Sequence, residues 1–278
     1  MTQVAAVSAG TLLGIALWCW PPLSAAQVTP QRASDLIESA MRAHRNGDTA
    51  EGLRLVRTPA SAGNRDARFA MGLLLESGAK PTYAEYREAA HWYLAAAHAG
   101  HPGAMNNLAA QHVDGRGVPV TLSIARHWYE SAANAGFAPA QYNLALMYGR
   151  GKGVPRDDAR MLELLERAAA IGFDRAQAQL GRLYLDGTGV KADSAKAAAW
   201  FHKAAEQGHA EAQYHLGMLY KHGAGVVANR NTARQWLARA AEQGHALGTR
   251  ELREFAQSPV SGEPDNKTAD AKTKGSGF

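Results

Sequence analysis

Residues 210–246 read AEAQYHLGMLYKHGAGVVANRNTARQWLARAAEQGHA, and the fold turns on how this stretch is understood. Alone it offers histidines, tyrosines and a Gly-Ala-Gly turn, letters that would serve a metal or a phosphate. Beside its neighbours it is one copy of a repeat. Gly100, Gly136, Gly172, Gly208 and Gly244 lie 36 residues apart, and Gly63 opens an earlier copy one residue longer. Four residues on from each Gly stand Ala67, Ala104, Ala140, Ala176, Ala212 and Gly248. Eight on stand Met71, Leu108, Leu144, Leu180, Leu216 and Leu252. Gly115, Gly151, Gly187 and Gly223 close the first half of a copy, each followed two residues later by Gly117, Gly153, Gly189 or Gly225 and then by Val. The second half carries Trp92, Trp128, Leu164, Trp200 and Trp236, then paired alanines such as Ala204-Ala205.

Each copy predicts two helices. In the first, small and apolar residues recur at helical spacing. The Gly-x-Gly turn stops it, because Gly adopts positive φ at a helix C-terminus without a Cβ penalty. The second helix starts behind Thr121, Asp157, Asp193 or Asn229, all good N-caps, each worth about 1 kcal/mol over Ala. Pro102 falls just inside the next first helix, where proline is tolerated. The copy 136–171 departs from the rest: Leu164 replaces Trp while Met161 replaces an Ala three residues earlier. One residue shrinks where a helical neighbour grows, as a packed core requires.

At the ends the repeat frays. Residues 27–62 predict an irregular helix pair that caps the first full copy. Residues 63–256 hold five copies and a more charged terminal helix, and residues 257–278, polar and rich in Gly, Pro and Lys, predict a disordered tail. The expectation is an all-α, right-handed α-solenoid of antiparallel helix pairs, about 13 helices in all.

The first 26 residues contain no Asp, Glu, Lys or Arg; TLLGIALWCW supplies an apolar core and PPLSAA follows. This predicts a signal peptide cleaved after Ala26, with Ser24 and Ala26 as the small residues of the site. The n-region lacks Lys and Arg, so an uncleaved N-terminal anchor is the alternative. Cleavage would remove Cys19, the only cysteine, and leave a mature chain without disulfides, thiol nucleophiles or Cys-bound metal. The net charge of +5, from 30 basic and 25 acidic residues in a chain of 278, is scattered and marks no nucleic-acid face.

Residues 210–246, and their recurrence from about 63 to 256, resemble the Sel-one-like repeat family, a relative of tetratricopeptide repeats. The resemblance implies a solenoid that serves as a protein-interaction scaffold. It fixes no partner. Some secreted members are linked to β-lactam or peptidoglycan chemistry, but those resemble a cysteine-bridged subgroup, and this chain lacks the cysteines.

Candidate chemical sites are weak. His91 and His98, and His215 and His222, are seven apart, whereas zinc-binding helices place histidines four apart with a carboxylate between. His101, His209 and His245 share a column with Phe137 and Phe173, which marks packing. The Gly-x-Gly-Val turns follow helices, so they are not phosphate loops, which follow strands. No nucleophile elbow, Ser-x-x-Lys or paired-carboxylate pattern occurs. Asp157-Asp158 is a cap and a favourable first-turn charge. The pairs Arg126/Glu130 and Glu163/Arg167, with the basic column Arg167, Lys203 and Arg239, predict a solvated outer face. No metal, cofactor or catalytic residue is expected.

What remains is the inner face of the solenoid. Positions three, seven, ten and fourteen from the Gly share one face of the first helix and vary between copies. The expected partner-binding residues are Asn107, Tyr142, Asn143, Leu146, Arg150, Gln179, Arg182, Tyr214, His215, Met218 and His222. Such a lining suits an extended peptide or a helix of another protein. The leading expectation is a monomeric, non-catalytic scaffold of the bacterial periplasm or a secreted one, with no membrane insertion after cleavage. The alternatives are a peptidoglycan- or β-lactam-directed enzyme or binding module, and a secreted effector that binds a host protein.

Overall fold

The computed structural model describes residues 28–257, residue 79 excepted; the expected signal peptide and the expected tail beyond 257 lie outside these. Thirteen α-helices follow one another, with no strand among the described residues: α1 (Pro30–Arg45), α2 (Thr49–Ser61), α3 (Arg65–Glu76), α4 (Tyr83–His98), α5 (Pro102–Asp114), α6 (Leu122–Asn134), α7 (Ala138–Arg150), α8 (Asp158–Ala170), α9 (Asp174–Asp186), α10 (Ser194–Glu206), α11 (Ala210–His222), α12 (Arg230–Glu242) and α13 (Ala246–Gln257). Each packs on the helix before and the helix after, most extensively within the pairs that open with α1, α3, α5, α7, α9 and α11. This nearest-neighbour stack is a helical-repeat solenoid.

Local chemistry explains the boundaries. α5, α7, α9 and α11 each end on a left-handed glycine, Gly115, Gly151, Gly187 or Gly223, at φ between 64 and 74°. Its amide returns to a carbonyl of the last turn, Gln111 in the first case. Asp157, Asp193 and Asn229 cap α8, α10 and α12 by accepting the amides of Arg160, Lys196 and Thr232. Thr121 does not: its hydroxyl donates to the Pro119 carbonyl at 3.3 Å, and α6 begins without a side-chain cap. The one-residue insertion of the first copy falls before α4, which opens instead on a reciprocal Thr82–Glu85 capping box.

The core is a ladder of the repeat columns. Ala67, Ala104, Ala140, Ala176 and Ala212 are completely buried, and Met71, Leu108, Leu144, Leu180 and Leu216 nearly so. Met161 and Leu164 are both buried in one cluster, and further room for Met161 comes from across the helix pair. A Cβ on Gly149, across the helix pair, would fall on the Met161 sulfur; the other copies carry Glu76, Val113, Leu185 or Lys221 there. This added compensation crosses between helices, which a pattern along one helix does not reveal. Basic residues of the outer face are also less free than their spacing implied. Lys203 and Arg239 lie 4.2 and 4.6 Å over the rings of Trp200 and Trp236, Arg167 donates to the Ala133 carbonyl, and Glu163 pairs with Arg160 rather than Arg167.

A second column, of glutamines, ties successive copies together. Gln141, Gln177 and Gln213 are buried, and each Nε2 donates to a last-turn carbonyl of the preceding helix: Ala133, Ala169 or Ala205. The Oε1 atoms of Gln177 and Gln213 accept from Gln207 and Gln243 at 2.8 Å. The corresponding position for Gln141 is Ile171, 63% exposed, and Gln141 Oε1 is buried without a donor. A buried unsatisfied acceptor is costly. Ile171→Gln should therefore raise the unfolding free energy by about 1 kcal/mol. The urea midpoint measures it; an unchanged or lower midpoint would contradict this account of Gln141.

Candidate functional site

Direct contacts between alternate helices join α1 to α3, α3 to α5 and α9 to α11, all first members of their pairs. The stack closes up on that side, so the first helices line its inner face. Two open cavities lie there. One, of about 240 Å³, is lined by Ala110, Asp114, Tyr129, Asn143, Leu146, Arg150 and Lys152 among others. The second, of about 270 Å³, is lined by Tyr142, Arg175, Gln179, Arg182, Phe201, His209 and Glu211 with Ala178. The expected binding residues thus divide. Asn143, Leu146 and Arg150 meet at the first cavity, and Tyr142, Gln179 and Arg182 at the second. Arg182 donates to Gln179 at 2.9 Å, and Tyr142 stands edge-on to Phe173 with ring centroids 5.7 Å apart.

The others are held differently. Tyr214 stacks on His245 at 4.9 Å and, with Met218, packs against the cluster of Ala233, Leu237 and Phe255. His215 is sandwiched between Phe201, stacked at 4.9 Å, and Tyr214. Burial holds its imidazole below the ordinary value, with Glu211 opposing. His222 is exposed at the end of α11 and belongs to neither cavity. Tyr214 and Met218 are thus taken up by α12 and α13, and His215 by Phe201 of α10.

Asn107 lies in a polar chain at the N-terminal end of the inner face. Asn143 donates to Asn106, Asn106 to Asn107, Asn107 to the Tyr93 hydroxyl, and Tyr93 to Glu76. Gln111, fully buried, donates to the other Glu76 oxygen at 2.7 Å. Burial first, and the Glu76 charge second, push the Tyr93 hydroxyl well above its usual range; burial and Asp114 do the same at Tyr129. Both phenols therefore keep their protons, and that of Tyr93 is donated to Glu76. Among the described residues no group of three or more His, Cys, Asp or Glu is placed to hold a metal, and no helix is long and apolar enough to cross a membrane.

Several cavity residues were not among the expected binding residues. Arg175 and Glu211 occupy the third position from the Gly, where Gly103, Pro139, Arg175 and Glu211 differ, and that variation was the available signal. Tyr129 and Phe201 belong to a core column shared with Leu165 and Leu237, and nothing in the sequence separates their buried and cavity-facing sides.

The histidine column proves to be a capping column as well as a packing one. Nδ1 of His101, His209 and His245 accepts the amide of Ala104, Ala212 and Gly248 at 3.0–3.3 Å. Phe137 and Phe173 leave α7 and α9 without such a bond. An imidazole can accept at Nδ1 only when neutral. Burial holds His101 below the ordinary value, with Asp66 opposing. The sign follows: a histidine with a depressed folded pKa binds fewer protons folded than unfolded. Its contribution is present above about pH 6.5 and is lost as pH falls below it. Urea unfolding should show stability declining from pH 7.5 to 5, with His101→Asn, a cap that does not titrate, flattening part of the decline. An unaltered slope in that variant would contradict the assignment.

Comparison with known proteins places these features in a family. The Sel1 repeat family model matches five consecutive segments, 65–101, 102–137, 138–173, 174–209 and 210–245. Among solved structures, a Sel1 repeat protein from Oxalobacter formigenes is similar, with 34% identity over 83% of this chain and 67% of that one, at a TM-score of 0.74. So is c5321, described as a protective antigen present in uropathogenic Escherichia coli strains and displaying an SLR fold, with 29% identity over 83% of this chain and a TM-score of 0.71. The chain spans 50% of the length of the latter. Curated proteins provide no match.

Proposed function

From the premise that the chain belongs to the Sel1 repeat family, whose repeats generally form protein-interaction modules, we propose that it is a non-catalytic adaptor that binds another protein along its inner face. The occupant is an extended segment or helix of a partner in the bacterial envelope, or one met after secretion. The apolar, uncharged 4–20 stretch with the SAA sequence at 24–26 supports export.

The observation that carries this reading is the pair of inner-face cavities, which gather residues from variable repeat positions. Each combines an apolar or aromatic wall, Leu146 or Tyr142, with two cations, Arg150 and Lys152 or Arg175 and Arg182. Tyr and Arg, which Tyr142, Arg150, Arg175 and Arg182 supply, are enriched among the residues that dominate protein interfaces. Cross-linked capture from an envelope extract, followed by identification of the bound protein and titration against it, tests the proposal. Replacing Tyr142, Arg150 and Arg182 together by Ala should weaken binding at least about tenfold. Tyr214 is left intact because it packs. Undiminished binding by a variant with the parent's circular dichroism would reject the inner face. Mass spectrometry of the mature N-terminus tests export, and a chain retaining Met1 would count against cleavage.

A further inference from the structure

A third cleft lies away from the inner face, between the second helices α4 and α6. Its volume is about 420 Å³, and its walls include Leu94, Leu108, Val118, Ile124 and Trp128. Leu94 and Ile124 are 39% and 40% exposed, unusual for aliphatic side chains on a face otherwise rich in charge.

The repeat supplies a control for this cleft. Set the column of Trp92, Trp128, Leu164 and Trp200 in register, and Leu94 aligns with Glu130 and Glu166, while Ile124 aligns with Arg160 and Lys196. Two successive junctions therefore place Glu on one second helix and a cation on the next, and the α10/α12 junction places His202 and Thr232; only the α4/α6 junction places two aliphatic residues, Leu and Ile. A third column changes with them. His112 stands where the following copies have Tyr148, Tyr184 and Tyr220. In one of those copies the tyrosine attends the cation directly, Lys196 Nζ lying 5.2 Å from the Tyr184 ring centroid, and in another Tyr148 shares the columns with Arg160. At α4/α6 both members of that contact are replaced. The smaller imidazole turns aside to the Pro119 carbonyl at 3.2 Å, and space opens above Leu108 and Trp128. Three coordinated departures from the repeat thus make one apolar cavity.

The remaining lining residues define what would fill it. Arg87, His91 and His112 border the cleft, and none of its described lining residues is a carboxylate. We propose that this cleft is a second docking site, distinct from the inner face, for an acidic segment of a partner protein that inserts one large apolar side chain beside carboxylates. The apolar walls take the anchor; Arg87 takes the flanking charge beside the polar imidazoles of His91 and His112, and the lining offers a basic segment no carboxylate.

The full chain is titrated with fluorescein-labelled hexapeptides carrying a central Leu, Phe or Trp flanked by aspartates, and with the same peptides flanked by lysines. Fluorescence anisotropy should show saturable binding of at least one aspartate peptide, at least about tenfold tighter than its lysine counterpart. The double variant Leu94→Glu/Ile124→Arg installs the residues that the same columns carry at the next junction, so folding is expected to survive. It should weaken binding at least about tenfold, and His112→Tyr, which restores the column residue, should weaken it independently. No saturable binding of any peptide up to about 1 mM, equal binding of aspartate and lysine peptides, or binding unaffected by both variants overturns the proposal. So does self-association in sedimentation velocity that either variant abolishes, since a second copy would then be the occupant. The Tyr142/Arg150/Arg182 variant should bind these peptides as the parent does, which separates this site from the inner face.

Discussion

Gly225→Ala should lower the unfolding free energy by about 3 kcal/mol, combining left-handed backbone strain with overpacking. Gly225 has φ +72°, and a Cβ there would overlap the Ser194 carbonyl and the Ala195 amide nitrogen at the start of α10. The preceding copy's second helix thus sits directly against this turn. No side-chain rotation relieves the clash, because the obstacle is backbone. Gly136 is the internal control. Its φ is +82°, yet nothing lies within 4 Å of its hypothetical Cβ. Gly136→Ala should cost only the conformational part, about 1 kcal/mol. Urea denaturation of both variants measures the difference. Equal costs would show that the second glycine of each Gly-x-Gly is required for its φ alone, not for the approach of neighbouring repeats.

Phe201→Ala should be more damaging, at about 4 kcal/mol. Phe201 is 1% exposed, lies against Gly181 so closely that a Cβ there would stand 2.7 Å from its ring, and supports His215 by stacking. Removing the ring leaves a cavity opposite a glycine, which has no side chain to fill it. Phe201→Leu should cost less, since Leu165 and Leu237 hold the equivalent position opposite Ala145 and Gly217. The alanine variant should also let water reach His215, and its imidazole should titrate nearer the ordinary histidine value by NMR. A small loss of stability together with an unmoved His215 would refute the role assigned to Phe201. The same ring walls the larger inner-face cavity, so partner binding should weaken even in the folded fraction.

The repeat was legible because its information is local and recurs. A glycine that ends a helix, an aspartate that starts one and an alanine that admits a neighbour do so through contacts within one copy or with the next. Thr121 shows the limit of that logic. The residue type is right for a cap, but the Pro119 carbonyl competes for its hydroxyl. His101, His209 and His245 show another. Sharing a column with phenylalanine signalled packing, while the Nδ1 cap depends on ring orientation, which no column records.

The sequence alone determined the period, the helix pairs, the turns and the columns that build the core. Only the tertiary structure decided which variable positions are open. Tyr142, Leu146, Arg150 and Arg182 border cavities, whereas Tyr214, His215 and Met218, equally variable, are taken up by α12, α13 and Phe201. Likewise Leu94, His112 and Ile124 are far apart in the chain and become one cleft only when α4, α5 and α6 are stacked. The physical reason is common to both. A residue's backbone conformation depends on its neighbours in sequence, but its exposure depends on which side chains of the adjacent helix pair reach it.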